Sequence, residues 1–133
     1  MITKPRIIHF PKIGNSALGY ISVAEDKNIP FEIKRVYWTY YTPESIHRGG
    51  HAHLELEQIL IAVSGKIIVE TEMPDGEKDR FILEAPDMGV FLPKYCWHVM
   101  QYTHTAVQMC VANMVYTESD YIRDYEVFKK IQL

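Results

Sequence analysis

The sequence predicts an all-β fold, a sandwich or barrel of short strands followed by one C-terminal α-helix. Two patterns predict it. Short strand-like runs separated by Gly, Pro, Asn and Asp fill residues 6–113, and over the last twenty residues apolar side chains recur at helical spacing. With 133 residues, the chain fits one domain, residues 1–133, with the barrel over about 6–113 and the helix over about 119–130.

Nine runs are candidate strands because they are rich in branched and aromatic residues and are bounded by turn residues. In chain order they are 6–10, 19–24, 34–41, 58–63, 66–73, 79–84, 89–92, 97–102 and 106–113. Residues 73–77, Met-Pro-Asp-Gly-Glu, carry turn chemistry and indicate a hairpin. This many short strands favours a sandwich or barrel over alternating strands and helices.

The C-terminal segment is predicted to be a helix that packs against the barrel. Ile122, Tyr125 and Phe128 are spaced for one helix face. Residues 117–120, Thr-Glu-Ser-Asp, are a candidate N-terminal capping box just before that pattern. The prediction is therefore one helix over 119–130.

The composition is that of an ordinary globular protein, and it disfavours two classes of partner. The net charge is −3 and no basic stripe stands out, so nucleic acid is not an expected partner. No secretory signal and no apolar run near 18 residues are present, so we expect no membrane span and a cytoplasmic location. Cys96 and Cys110 are expected to be buried, reduced thiols rather than a disulfide.

A histidine pair is the most informative feature of the chain. In the extended segment 48–53, Arg-Gly-Gly-His-Ala-His, residues two apart project from the same face, so His51 and His53 present adjacent imidazoles. Gln58 then begins a strand that ends at the turn glycine Gly65.

A third histidine follows about 45 residues later, in 93–98, Pro-Lys-Tyr-Cys-Trp-His, where a turn delivers His98 to the start of a strand. Together the two segments resemble the two motifs of the cupin superfamily, although Gln58 stands where that family has a glutamate ligand and Tyr95 where it has a glycine. The resemblance implies a cupin barrel, that is, a double-stranded β-helix or jelly roll.

The change from glutamate to Gln58 decides the expected chemistry. Three imidazoles and a carboxylate make a good divalent-metal site, and a neutral amide removes its only anionic ligand. We therefore expect no metal and no other cofactor. A three-histidine zinc site, a site completed by Glu57, and a histidine pair that serves only packing stay open as alternatives.

Without a metal, the paired imidazoles favour proton transfer near neutral pH. Removing a proton next to a carbonyl gives an enolate or enediol, which needs nearby hydrogen-bond donors. The candidate donors are Arg35, Tyr37, Arg48 and Gln58, and Arg35 shares a strand face with Tyr37. Either arginine could clasp a diphosphate with two parallel hydrogen bonds, and Tyr37, Trp38 or Tyr102 could stack on a nucleobase.

Several short segments, taken together, resemble the dTDP-4-keto-6-deoxy-glucose 3,4-ketoisomerases. They are Lys-Asn-Ile-Pro-Phe at 27–31, Lys-Arg-Val-Tyr at 34–37, Arg-Gly-x-His-Ala-His at 48–53, Leu-Glu-Gln at 56–58 and the Asp-Tyr-Ile-Arg-x-Tyr stretch from residue 120. They occur in order over nearly the whole chain. Gly50 departs from the family, whose members carry bulkier residues there.

This resemblance implies a metal-independent homodimer that exchanges its N-terminal strands and converts dTDP-4-keto-6-deoxy-glucose to a 3-keto sugar. An aminotransferase then acts on that sugar for surface polysaccharides or glycosylated natural products. The implied catalytic pair is His51 and His53, with His51 as the expected C3 base.

The expected substrate-binding residues are Arg35, Tyr37, Arg48, Gln58, His98 and Tyr102. The rival functions are a sugar-nucleotide 3,5-epimerase, a metal-dependent cupin enzyme and a non-catalytic cupin that binds a sugar nucleotide.

Overall fold

Two five-stranded antiparallel sheets form the barrel in the computed structural model, which describes residues 3–133. The first sheet has the order β1 (Arg6–His9), β9 (Met88–Leu92), β6 (Gln58–Ser64), β11 (Val107–Ala112), β4 (Arg35–Tyr40). The second has the order β12 (Tyr121–Ile122), β5 (His47–His53), β10 (Trp97–Tyr102), β7 (Ile67–Glu72), β8 (Lys78–Leu83). A separate hairpin pairs β2 (Lys12–Asn15) with β3 (Gly19–Ser22). The all-β prediction is confirmed.

The core lies between the two sheets because alternate residues of each strand face inward. Along β10 every second side chain is buried, as period-two alternation requires. The main buried cluster draws on strands of both sheets and includes Leu60, Val69, Val90 and Met100. Burial of this apolar surface is the main force that holds the sheets together.

Three elements were not predicted as strands. The segment 48–53 was expected only to be extended, and it belongs to β5. The short strand β2 has a single branched residue, Ile13, and its Gly14 and Asn15 are typical of turns rather than strands. The two-residue strand β12 lies inside the predicted helix and pairs with β5, with Tyr121 opposite His53.

The C-terminal helix is shorter than predicted. Helix α1 spans Tyr125–Lys129, and its N-cap is Asp124, whose side chain accepts a hydrogen bond from the backbone N–H of Glu126. The predicted start at residue 119 is wrong, because Glu118–Asp120 form a 3-10 turn and the next two residues join the sheet as β12. Thr117 precedes that turn, but its side chain makes no capping hydrogen bond. Phe128 is fully buried in a small cluster beneath β5, so the helix packs against the barrel as expected.

Both cysteines are buried and neither forms a disulfide, as expected. Burial raises the pKa of each thiol, at Cys96 and at Cys110, to about 12, so neither is a reactive thiolate. Among residues 3–133, no helix has the length and apolar character needed to cross a membrane.

Candidate active site

Three imidazoles meet inside the barrel. His51 and His53 lie two residues apart on β5, and their ring centroids are 5.1 Å apart. His98 on β10 pairs directly opposite His51, with 4.6 Å between the two ring centroids. The His-x-His spacing and the turn before residue 98 thus bring the three rings together as the sequence predicts.

A β-bulge aims His51 into the barrel. The pairing of β5 with β10 shifts by one residue between His98 and Val99, so Gly50 has no partner opposite it. Gly49 has a φ of +86°, and a Cβ there would lie 2.7 Å from the carbonyl oxygen of His98. Glycine is therefore required at residue 49. Gly50 also has a positive φ, of +73°, but a Cβ there would meet open space, so only its backbone conformation favours glycine at this position.

Tyr95 links the two histidine segments through its backbone. Its N–H donates a hydrogen bond of 2.7 Å to the carbonyl oxygen of His53. Its φ is +62°, in the left-handed region that glycine adopts without strain. A glycine at this place in the cupin motif would satisfy the same turn. Here the tyrosine adopts it, and its ring packs into the cluster around Phe128.

The backbone carbonyl of Cys96 and the side-chain amide of Gln58 together hold His98 in one tautomer. The Nδ1 atom of His98 lies 2.9 Å from the carbonyl oxygen of Cys96, which can only accept, so Nδ1 carries the proton. Its Nε2 atom is then an acceptor, 3.3 Å from the amide nitrogen of Gln58. The amide oxygen of Gln58 in turn accepts from the hydroxyl of Tyr37 at 3.3 Å and the thiol of Cys110 at 3.2 Å. Both ring nitrogens of His98 therefore have hydrogen-bond partners inside the protein.

Burial lowers the pKa of all three imidazoles, which favours their neutral form. Burial first, and then the nearby His53 and Arg123, lower the pKa of His51 to about 4. Burial also lowers the pKa of His53, while the carboxylate of Asp120 opposes that shift. The pKa of fully buried His98 lies well below its usual value, again because of burial. Neutral imidazole is the form that accepts a proton from carbon.

A cavity of about 620 Å³ opens beside these rings and is rich in positive charge, although the chain carries a net charge of −3. Its lining includes the predicted residues Arg35, Tyr37, Arg48, His51, His98 and Tyr102. Gln58 lies behind the wall, bonded to His98 and Tyr37, and His53 lies against His51 and Tyr121. Tyr102 donates from its hydroxyl to Gln108 at 3.1 Å, so this oxygen has a fixed partner.

The C-terminal segment contributes three residues to the site that were not predicted. The ring of Tyr121 packs edge-on against His51 and His53, with centroid distances of 4.9 and 4.4 Å. Arg123 lines the cavity and makes a two-point ion pair with Glu118, at 2.7 and 3.0 Å. Asp120 is buried and contacts His53. The resemblance quoted this stretch, but spacing alone gave no reason to place it beside histidines so distant in sequence.

The three imidazoles are close enough to consider a metal ion, since one ring nitrogen of each lies within 4.8 Å of the others. The donor set fits a metal poorly. The His98 nitrogen on the cavity side already accepts from the Gln58 amide, and no carboxylate takes the place of the fourth ligand. The hydrogen bonds of the three imidazoles therefore favour proton transfer over metal binding.

A jelly-roll barrel with histidines in a positively charged cavity defines a cupin-type enzyme. The family described as "FdtA: WxcM-like, C-terminal" matches residues 3–132. A TDP-4-oxo-6-deoxy-alpha-D-glucose-3,4-oxoisomerase of Aneurinibacillus thermoaerophilus is 39% identical over 127 residues, which are 94% of this chain and 90% of that protein. The chain belongs to the FdtA family of TDP-sugar 3,4-ketoisomerases and is an isomerase.

Solved structures agree closely with the fold. A 3,4-ketoisomerase from Helicobacter canadensis superposes with a TM-score of 0.89 at 35% identity, covering 95% of each chain. The sugar 3,4-ketoisomerase QdtA of Thermoanaerobacterium thermosaccharolyticum, solved in complex with TDP, gives a TM-score of 0.89 at 33% identity, over 97% of this chain and 94% of that one. The predicted cupin barrel is thereby confirmed.

Proposed function

We propose that this chain, acting as one catalytic domain, moves the carbonyl of dTDP-4-keto-6-deoxy-glucose from C4 to C3 by histidine-catalysed proton transfer through an enediol. The observation that carries the proposal is the set of neutral imidazoles at the wall of a positively charged cavity. A neutral base and nearby hydrogen-bond donors are what enolisation next to a ketone requires.

The reaction moves one proton from carbon and one from oxygen, so it needs two side chains that carry protons. One carrier removes the proton from C3, exchanges it with solvent, and delivers a solvent proton to C4. The other takes the proton from the C3 hydroxyl and passes it to the C4 oxygen. His51 is the one of the two β5 histidines that lines the cavity, so it is the C3 base. His53, in ring contact with His51, carries the oxygen proton.

The cavity also offers side chains that can bind the diphosphate and the nucleobase of a sugar nucleotide. Arg35, Arg48 and Arg123 line it, and guanidinium groups bind phosphate oxygens through paired hydrogen bonds. Tyr37 and Tyr102 line the same wall and offer aromatic surface for the nucleobase. No metal or other cofactor takes part. The 3-keto product, with either the galacto or the gluco configuration at C4, is a substrate for an aminotransferase, and the reaction takes place in the cytoplasm.

The working unit is a homodimer that exchanges N-terminal strands. The β2–β3 hairpin pairs with neither large sheet, and an isolated two-stranded hairpin is marginally stable. It exposes Ile13, Leu18 and Ile21, and the edge strand β4 exposes Val36, Trp38 and Tyr40 on its outer face. A second copy covers both apolar sets. Strand exchange then makes the pairing of β1 with β9, which lies within one chain here, between the two copies.

The decisive experiment is incubation with dTDP-4-keto-6-deoxy-glucose in D2O, followed by NMR of the product. The expected result is a ketone at C3 and deuterium at C4. A carbonyl that stays at C4 while C3 and C5 invert identifies a 3,5-epimerase instead. Tight binding with neither incorporation nor a new ketone identifies a non-catalytic sugar-nucleotide cupin.

A further inference from the structure

A buried carboxylate lies beside His53, and it is contributed by the C-terminal segment. Asp120 is the last residue of the 3-10 turn, is only 6% exposed, and is 67 positions from His53 in the sequence. Its Oδ2 atom lies 3.1 Å from Nδ1 of His53.

This contact sets the tautomer of His53. A carboxylate can only accept hydrogen bonds, so the Nδ1 atom of His53 carries the proton. In the neutral ring, Nε2 is then the nitrogen with a free lone pair. A fixed tautomer matters because a ring that carries its proton on the wrong nitrogen cannot accept one from the reacting side.

The carboxylate is itself held in place by the turn that follows β5. Oδ1 accepts from the backbone N–H of Glu55 at 2.7 Å, and Oδ2 accepts from that of Leu56 at 3.2 Å. The backbone carbonyl of Asp120 also accepts from the N–H of Leu54, at 3.0 Å. These hydrogen bonds fix the position of Asp120 relative to the strand that carries His53.

The three imidazoles differ in this respect. His98 donates to a neutral backbone carbonyl, and His51 has no hydrogen-bond partner at Nδ1. Among the residues that the structure describes here, only His53 pairs with a carboxylate. It is the ring best able to hold a second proton, because the negative charge offsets that of the imidazolium.

We propose that Asp120 is a positioning residue for His53: it fixes the proton on Nδ1 and supplies the counter-charge while His53 carries the oxygen proton. This inference rests on the proposed ketoisomerase function. When Nε2 takes the proton from the C3 hydroxyl, Asp120 stays unprotonated, and the charged ring passes that proton to the C4 oxygen within the same turnover, so that His53 begins and ends neutral.

The test compares Asp120→Asn with Asn113→Ala. The side chain of Asn113 holds the same turn by accepting from the backbone N–H of Glu57 at 3.0 Å, and it makes no hydrogen bond to a histidine. We expect Asp120→Asn to lower kcat about 10- to 100-fold, the usual range for a partner of this kind, with KM changed less than about threefold. Asn113→Ala should leave both within about threefold. A folded Asp120→Asn enzyme with wild-type kcat, or an equal loss in Asn113→Ala, would overturn the proposal.

Long-range proton–nitrogen NMR of the histidine rings provides a readout that does not require turnover. The wild-type enzyme should show His53 protonated at Nδ1, assigned with the help of His53→Asn, and Asp120→Asn should lose that fixed pattern. A wild-type His53 protonated at Nε2 overturns the inference even if the variant fails to fold. Failure of the wild-type enzyme to form a 3-ketone overturns the proposed function instead, and the ring spectrum still decides whether Asp120 sets the tautomer.

Discussion

Two hollows of similar size lie on opposite faces of the same sheet, and their linings differ. The cavity inside the barrel measures about 620 Å³ and is lined by arginines, tyrosines and histidines. The hollow between the β2–β3 hairpin and the outer face of the first sheet measures about 490 Å³, and apolar residues such as Phe10, Ile61 and Met109 predominate in its wall. Volume alone therefore does not distinguish them.

The comparison teaches that a polar lining, with most groups held by fixed hydrogen-bond partners and Nδ1 of His51 without one, separates a reaction site from a docking site. In the cavity, buried polar groups such as Gln58, His98 and Tyr102 have assigned hydrogen-bond partners, which fixes their orientation. Fixed donors and acceptors are what proton transfer requires. The hollow offers mainly apolar surface, whose favourable interaction is non-directional burial. Such a surface suits a second copy of the chain.

The largest expected effect tests whether His51 and His53 catalyse the reaction. His51→Asn and His53→Asn should each lower kcat by about 10²- to 10⁴-fold, because each removes one of two proton carriers. The control is His104→Asn, since His104 is exposed and stacks on Tyr41 away from the cavity. Steady-state turnover of the three variants decides the matter. Near-native rates in both His51→Asn and His53→Asn would show that the cavity histidines are not the catalysts.

The second largest effect tests whether the three imidazoles form a proton-transfer site or a metal-binding site. Gln58→Glu places a carboxylate beside three imidazoles, which is a preferred ligand set for divalent first-row metals. We expect Co²⁺ affinity to rise about 100-fold, consistent with the added Coulomb attraction, measured from the visible absorption of bound Co²⁺.

The control for this change is Gln108→Glu. That residue is equally buried and is bonded to Tyr102 rather than to a histidine. Gln108→Glu should leave Co²⁺ affinity near the wild-type value, and wild-type activity should survive excess chelator. Wild-type enzyme that purifies with stoichiometric metal and loses activity in chelator would contradict the metal-free reading of Gln58.

Sequence reasoning reached the part of the site that is local along the chain. His51 and His53 follow from the two-residue period of a strand, and the turn before His98 is visible in the residues around Pro93. These patterns depend on near neighbours, so they survive without knowledge of the fold. The barrel class is likewise visible, because strand and turn chemistry recur every few residues.

The contribution of the C-terminal segment was missed because it depends on contacts between distant residues. The apolar spacing of Ile122, Tyr125 and Phe128 suits a helix, but backbone pairing of β12 with β5 prevails over that local preference at Tyr121 and Ile122. Helical period therefore gave the correct element type with the wrong start. The same pairing brings Asp120 to His53, and no spacing rule links them.

The smallest expected effect concerns the β2–β3 hairpin, and it tests whether the hairpin face that carries Ile13 and Ile21, neither of which lines the hollow, is an interface between copies. Ile21→Glu puts a carboxylate on the exposed face of the β2–β3 hairpin, opposite Ile13. Because an unpaired carboxylate is costly to bury, and 1.4 kcal/mol is a tenfold change, the dissociation constant of the dimer should rise at least about tenfold. Analytical ultracentrifugation over a dilution series measures it.

The matched control is Ile82→Glu, the same substitution at an exposed isoleucine on β8, an edge strand of the other sheet. It should leave the association unchanged, which separates an interface effect from a general effect of added negative charge. If both variants stay dimeric like the wild type, the hairpin face is not the interface. If the wild type is a monomer at the highest concentration, the exposed isoleucines of the hairpin need another explanation. Either result leaves the cavity's chemistry intact, because Ile21 does not line it.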